Sequence, residues 1–566
     1  MARLTLPERL RIAVIGAERT RRGMVSAALN SRTLRWRYGA PRADQLLIVP
    51  QDLRTPDPSF WFEMTHGQFG LGGSLARLDG NSPFDVVPPS QPWARSLHGF
   101  GWLRHLHAAA EPEAAEAARQ LAVEWSIRNS RGQGDAWRPE VLARRVISWL
   151  SHAGLLLEGA DEATYNAISS SLGVQLVRLS SAWREAPDGQ ARLLTLTALV
   201  LADLCIAGRD RQLEGDMRLF LDELDRQILP DGGHASRNTS VLVELLLDLL
   251  PLAQCFRARG QAQPAQLADA IESMLAMLRF MRLGDGMLAR FNGVAVAFPS
   301  RLATVLAYSE VSAVPLPHAE ASGYERLERG DTVLIADCGG PPPLVLSAEA
   351  HAGCLSFEMS CGHDIVFCNG GAPGSADGDW RPASRASASH NTLVLAETSS
   401  SRLISHRRIE DILGDLPIRG PAKVEATSIE AANDGIGVEA THDGYLEQFG
   451  LLHQRRIMLD NGGRRIDGVD RLKPPRGVLR LKRDLPFAIH FHLAPQAECR
   501  RGDKIGTAIV EVGGQCWRLA VEGARLGIEE SMYFANSAGP LRRLQIVLRA
   551  TTFGETEVRW AIARLT

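Results

Sequence analysis

The chain has 566 residues, 45% hydrophobic and 23% charged, with 63 Lys plus Arg against 65 Asp plus Glu for a formal net charge of -2. That length requires at least two domains with ample cores, and the composition is that of a globular protein. The near-zero charge excludes a global field that would draw in nucleic acid or an anionic membrane surface.

Residues 1–30 lack the apolar core and small-residue cleavage site of a secretory signal, and no segment reaches about 18 consecutive apolar residues, so no membrane span is expected. The expected location is cytoplasmic; periplasmic or exported placement stays open, because unconventional export leaves no mark in a sequence. IAVIGAER, Ile12 to Arg19, joins an apolar run to a single Gly and so fails the dinucleotide fingerprint. Glu8 to Ala28 reads as an amphipathic helix or helix pair. Gln45 to Pro92 is loop-rich, with short strands expected around Leu47 to Val49 and Gly67 to Leu71. These residues, 1–92, form a lead-in.

From Trp93 to about Phe280 apolar residues recur at three- and four-residue spacing, in segments parted by short polar or Gly/Pro breaks. Helices are predicted over Trp93–His107, Pro112–Asn129, Pro139–Leu157, Ala163–Arg184, Gly189–Ala207, Leu213–Ile228, Thr239–Leu252 and Pro264–Phe280, with a last one from Arg301 to Glu310. Stacked helical hairpins follow. In the third of these, Arg145, Trp149 and His152 fall on one stripe that suits an anionic sugar; an Arg packed on a core Trp suits the same spacing. Leu229 to Asn238, LPDGGHASRN, is a turn before a helix, and His234, Arg237 and Asn238 can all donate hydrogen bonds to a carboxylate. Asn238 also suits an N-cap.

From about Ser322 short strands with Gly, Asp and Pro breaks run to the C-terminus, which indicates an antiparallel sandwich. Ala350 to Leu395 carries two alternating strands, a loop with Trp380, Arg381 and Arg385, and a third strand opening at His390 and Asn391. His351 and His390 stand near its two ends, where strands could bring them together on a metal or a substrate proton. The eight cysteines include no C-x-x-C pair, and Cys354, Cys361 and Cys368 read as small buried hydrophobes. His490 and His492 share one strand face.

The runs HAGCLSFE, NGG and ASHNTLVL resemble the C-terminal sheet domain of the heparinase II/III family of polysaccharide lyases. LPDGGHASRN and WRPEVLARRVISWLSHA (Trp137 to Ala153) are similar to its helical domain. The resemblance implies a multi-domain α+β protein: an incomplete α/α toroid of helical hairpins over 93–315, alginate lyase-like, then an antiparallel β-sandwich over 316–566. It further implies β-elimination on an acidic, uronate-containing polysaccharide, in which the substrate carboxylate is neutralised while a base and an acid reach the ring. On that reading Asn238 neutralises, His234 or His390 is the base, Tyr308 the acid, and Arg237, Arg145, Trp149, Arg385 and Trp380 bind substrate. His351, Asn369 and His390 would be the metal ligands for a structural zinc or calcium of the β-domain, though neutral Asn is a poor zinc ligand.

The sequence departs from the family in places. The toroid Tyr should fall near Phe291 and Asn292, where there is none, which leaves Tyr308 as the nearest replacement. Glu349 stands where the family has a further His, Gly353 where it has an Asp, and Asn369 where it has the strand-end Asp ligand. The alternative is therefore a catalytically degenerate polysaccharide-binding or exopolysaccharide-assembly protein. A glycoside hydrolase needs paired carboxylates, and Asp231 and Glu349 have no signal pairing them. A homodimer is left open.

Overall fold

The computed structural model describes residues 6–29, 43–130, 134–296, 299–308, 316, 318–374, 380–403, 417–431, 434–477, 484–553 and 556–565. Helix Leu6–Leu29 opens the lead-in, whose other regular elements among the described residues are Phe60–Thr65 and the hairpin Gln68–Leu71 with Ser74–Arg77. The expected strand at Leu47 to Val49 is instead a single bridge, Leu46 to Ile206.

Antiparallel helices then pack in sequence from Gln91–Gly99 to Pro299–Ala307, forming the incomplete toroid. The predicted helix over Trp93–His107 is two helices, because Phe100 takes a left-handed turn at φ 56 between Gln91–Gly99 and Leu103–Ala109. Pro139–Leu157 likewise breaks at His152, between Pro139–Ser151 and Ala153–Leu157. Gln190–Cys205 and Ser240–Ala258 are buried almost all round, as central helices of a helical layer should be. The lead-in loop crosses this domain and places Arg54 2.9 Å from the buried carboxylate of Asp248, which also takes a two-pronged contact from Arg144 at 2.7 Å on each oxygen. Burial opposes its charge, but the two guanidinium groups outweigh it and hold Asp248 at about 2.

Among the described residues three large antiparallel sheets follow, with a two-stranded one formed by Arg402–Leu403 and Pro417–Arg419. The five-stranded sheet runs in chain order from His318–Ala319 through Tyr324–Arg329, Thr332–Asp337 and Phe357–Cys361 to Asp364–Phe367. Its central strands are buried on both faces, since the helical domain covers one side and the remaining strands the other. The eight-stranded sheet runs from edge strand Val424–Ala431 through Gly435–His442, Leu452–Leu459, Arg465–Lys473, Glu557–Leu565, Gln515–Glu522 and Thr507–Val512 to Glu498–Arg501. Arg525–Tyr533, Leu541–Thr551, Pro486–His492 and Leu393–Leu395 make the four-stranded sheet. Phe357, Phe367, Phe491 and Trp560 pack between the layers. Gly468 is obligatory there, because a Cβ would sit 2.1 Å from the Trp560 ring.

Candidate functional site between the helical and sheet domains

The turn at Leu229–Asn238 docks the helical domain on the five-stranded sheet. Gly232, at φ 81, lets it pass the helix Ala265–Phe280 so closely that a Cβ would sit 2.0 Å from the Ser273 carbonyl oxygen. Asp231 then accepts from the Ser322 amide at 2.6 Å and its hydroxyl at 2.8 Å. Arg237 reaches further into the seam. Its guanidinium donates to Asp337 at 2.6 Å, to the Ser322 carbonyl at 2.7 Å and to the Gly340 carbonyl at 2.8 Å, and lies 4.7 Å from the Tyr324 ring centre. Burial works against its charge, but Asp337 outweighs that and raises Arg237 above the ordinary guanidinium value. The Tyr324 hydroxyl donates back to the Arg237 carbonyl at 2.7 Å. Arg237 is thus committed to the domain joint.

The neighbours of Arg237 are equally committed. His234 is buried, with Nδ1 2.7 Å from Ser236 and Nε2 2.9 Å from Gln227, and burial pushes it down to about 4. Asn238 is spent partly on its own helix, its Oδ1 accepting from the Ser240 amide at 3.0 Å and hydroxyl at 2.6 Å. Its Nδ2 points the other way, 3.0 Å from where a Cβ on Gly293 would be, with Glu349 across the same glycine.

Next to Gly293, Asn292 links this turn to the imidazoles. Its Nδ2 donates to the Tyr324 hydroxyl at 3.0 Å and to Asp337 at 3.3 Å, while its Oδ1 accepts from the His351 amide at 3.3 Å. His351 Nδ1 lies 3.1 Å from His390 Nε2, and His390 Nδ1 lies 2.8 Å from the Ala386 carbonyl. A carbonyl only accepts, so His390 is protonated on Nδ1, and its Nε2 accepts from His351 Nδ1–H. Burial pushes His390 down to about 4 and His351 well below its ordinary value, so both rings are neutral. Gly353 leaves room for this pair, since a Cβ there would sit 2.8 Å from the His390 ring.

These residues do not fit a metal. The two ring nitrogens that would converge on a cation are hydrogen-bonded to each other, and Asn369 Oδ1 already accepts from the Asn391 amide at 2.9 Å. The backbone amide of Asn369 donates to Glu358 at 2.7 Å, and its Nδ2, a donor rather than a ligand, has no hydrogen-bond partner among the described residues. Among the described residues no three His, Cys, Asp or Glu side chains group as ligands.

The remaining candidates are dispersed. Tyr308 is exposed at the end of its helix, bonded to Gln51 at 3.3 Å. Arg145 is fully buried, 3.8 Å from the Trp125 ring centre and donating to Gln175 and to the His98 and Ala136 carbonyls. Trp149 is packed edge-on against Trp125 and Phe100, so this stripe faces the core and not a groove. Arg385 is buried and donates to the Ala350 carbonyl at 2.8 Å. Trp380, exposed, lies beside Phe534. Asn292, Asp337 and Glu358 are the residues that sequence reasoning missed; the one signal for Asp337 was a lone carboxylate closing the apolar run VLIAD.

A cavity of about 810 Å3 opens at the Arg237 joint and is lined by Arg237, Glu320, Glu325 and Glu425 among others, but by neither Asn238 nor His390.

A family model described as "Heparinase II/III-like, C-terminal" matches residues 312–561. FtsZ-localized protein C of Caulobacter vibrioides is 33% identical over 545 residues, covering 94% of this chain and 92% of that protein. A crystal structure of heparinase III superposes with a TM-score of 0.71 at 13% identity, over 96% of this chain and 88% of that one. A mutant of the heparan sulfate lyase HepC from Pedobacter heparinus gives 0.64 at 15% identity, over 98% and 88%. At these identities the two structures establish the fold alone.

Proposed function

The chain belongs to the heparinase II/III-like family, and from that premise we propose that it is a lyase-fold protein acting by binding polysaccharide at the bacterial division site, without eliminating it. The placement of the tyrosines carries this reading. Of the six, Tyr38 lies outside the described residues. Four of the others are engaged away from Asn238: Tyr165 on the Asp44 carbonyl, Tyr308 on Gln51, Tyr445 on the Leu393 carbonyl and Tyr533 on Arg290; Tyr324 stands beside Asn238, but its buried hydroxyl is spent donating to the Arg237 carbonyl and accepting from Asn292. Elimination needs an acid at the leaving sugar oxygen, and the described tyrosines supply none. Support for the setting comes from the relative named for its localisation with FtsZ.

Elimination is the second reading, favoured by one observation: the relay through His390 leaves His351 Nε2 as an acceptor with no hydrogen bond among the described residues. Its strongly lowered pKa makes it a weak base for an α-proton.

The purified chain is incubated with alginate, polygalacturonate and heparan sulfate, following ultraviolet absorbance for the unsaturated product and gel retardation for binding, with co-pelleting on polymerised FtsZ as a second arm. Flat absorbance, retardation by at least one polymer and co-pelleting are expected. Rising absorbance that His351→Ala abolishes would establish the eliminase instead. Absence of both retardation and co-pelleting would remove the binding reading.

A further inference from the structure

The eight-stranded sheet ends at Val424–Ala431, and among the described residues no strand pairs with the outer side of this edge. Glu425 to Ser428 are exposed along it. The edge forms one wall of the 810 Å3 cavity, and the five-stranded sheet's own edge strand, His318–Ala319, forms another. Ser428 crosses between them, donating to Glu325 at 3.1 Å. Pro341 to Pro343 close the groove with a surface that offers no amide donors.

Its charge is one-sided. Glu320, Glu325 and Glu425 line it. The one guanidinium among its described lining residues is already spent, Arg237 on Asp337, and the His318 ring lies 3.1 Å from Glu325. Lys423 pairs with Glu425, but both are exposed and such a pair exchanges at little cost. Glu320 has no ion pair among the described residues. An acidic glycan would be repelled here.

We propose that this groove binds an extended basic peptide, added as a further antiparallel or parallel strand on Val424–Ala431. Main-chain hydrogen bonds would hold it, and alternate side chains would face two ways: lysines or arginines toward Glu320 and Glu425, small apolar residues toward Pro341–Pro343. This site stands independently of the glycan and division-site reading.

An eight-residue strand spans about 26 Å, so a labelled peptide of about ten residues alternating Lys with Thr or Val is the probe, read by fluorescence anisotropy on the full chain. Its counterpart has Glu for every Lys, and two further peptides carry N-methyl groups on the amides of one edge or of the other. The lysine peptide should bind at least about tenfold more tightly than the glutamate peptide. The double variant Glu320→Lys, Glu425→Lys should weaken it by a similar factor with an unchanged melting temperature. Methylation of one edge alone should cost about tenfold. Equal binding of the two charge forms, no saturable binding, or indifference to methylation on both edges would each overturn the proposal. So would a concentration-dependent dimer lost in Ala426→Pro or Thr427→Pro, which would assign the edge to a second copy.

Discussion

Arg237→Ala separates a joint from a ligand contact. If the guanidinium served a glycan carboxylate, its removal would weaken binding and leave stability nearly unchanged. The structure gives the opposite expectation. Arg237 and Asp337 are both almost fully buried, and removing one partner of such a pair costs about 3–5 kcal/mol, because the other charge stays behind uncompensated. The Ser322 and Gly340 carbonyls also lose donors at 2.7 and 2.8 Å, at about 1 kcal/mol or more each unless water enters. A loss of about 4 kcal/mol or more is expected, read from urea unfolding followed by far-ultraviolet circular dichroism and tryptophan fluorescence. Replacing both partners, Arg237→Met with Asp337→Leu, should recover the part due to the stranded charge and not the part due to the Ser322 and Gly340 carbonyls, since an apolar pair leaves no buried charge but supplies no donor. If Arg237→Ala unfolds at the wild-type midpoint while retardation by glycan disappears, the assignment of Arg237 to the joint fails.

Three further outcomes follow from the same geometry. His234 and His390 are held at about 4 against an ordinary 6.5, so the unfolded chain binds more protons between those values; their contribution, up to about 3 kcal/mol each, is complete above pH 6.5 and is lost as pH falls toward 4. Melting temperature should fall steeply across that window, and His390→Gln should flatten the slope. Zinc or calcium, added or chelated, should leave melting unchanged, and equilibrium dialysis should find no stoichiometric site at His351 and His390; a zinc-dependent rise that His351→Ala removes would contradict the mutual hydrogen bond. Tyr308→Phe, at an exposed side chain, should change stability by less than about 0.5 kcal/mol and leave glycan retardation as it was.

The helical and sheet domains were legible because burial imposes its period on the sequence: 3.6 from Trp93 to Phe280, and two beyond Ser322. Breaks inside that pattern were not. Phe100 and His152 are apolar or aromatic residues that keep the spacing while the backbone turns, so Trp93–His107 and Pro139–Leu157 read as continuous. The meeting of His351 with His390 was foreseeable from strand ends. The fate of Arg237 was not, because its direction is decided by Ser322 and Asp337, 85 and 100 residues along the chain. Arg145 likewise depends on Trp125 and on Gln175 from other helices, and no local spacing distinguishes that core from a groove.

The departures from the family pattern make physical sense together. Two imidazoles that share a cation must both turn lone pairs toward it, whereas two that share a proton must have one donor and one acceptor. Ala386 fixes the second arrangement by claiming the His390 Nδ1 proton, which leaves Nε2 only the role of acceptor. A carboxylate at position 369 would then be a second buried acid beside Glu358, which already accepts from the Asn369 amide; the neutral Asn present there gives its Oδ1 to the Asn391 amide instead. At position 353 any side chain would strike the His390 ring, so a second acidic residue has no room. Asn292, at the position where the family spacing calls for a tyrosine, ties Tyr324, Asp337 and the His351 amide together through its side chain. Restoring a tyrosine there would remove that link before it supplied an acid. On the proposed binding-only reading, elimination would therefore require several coupled changes around these hydrogen bonds.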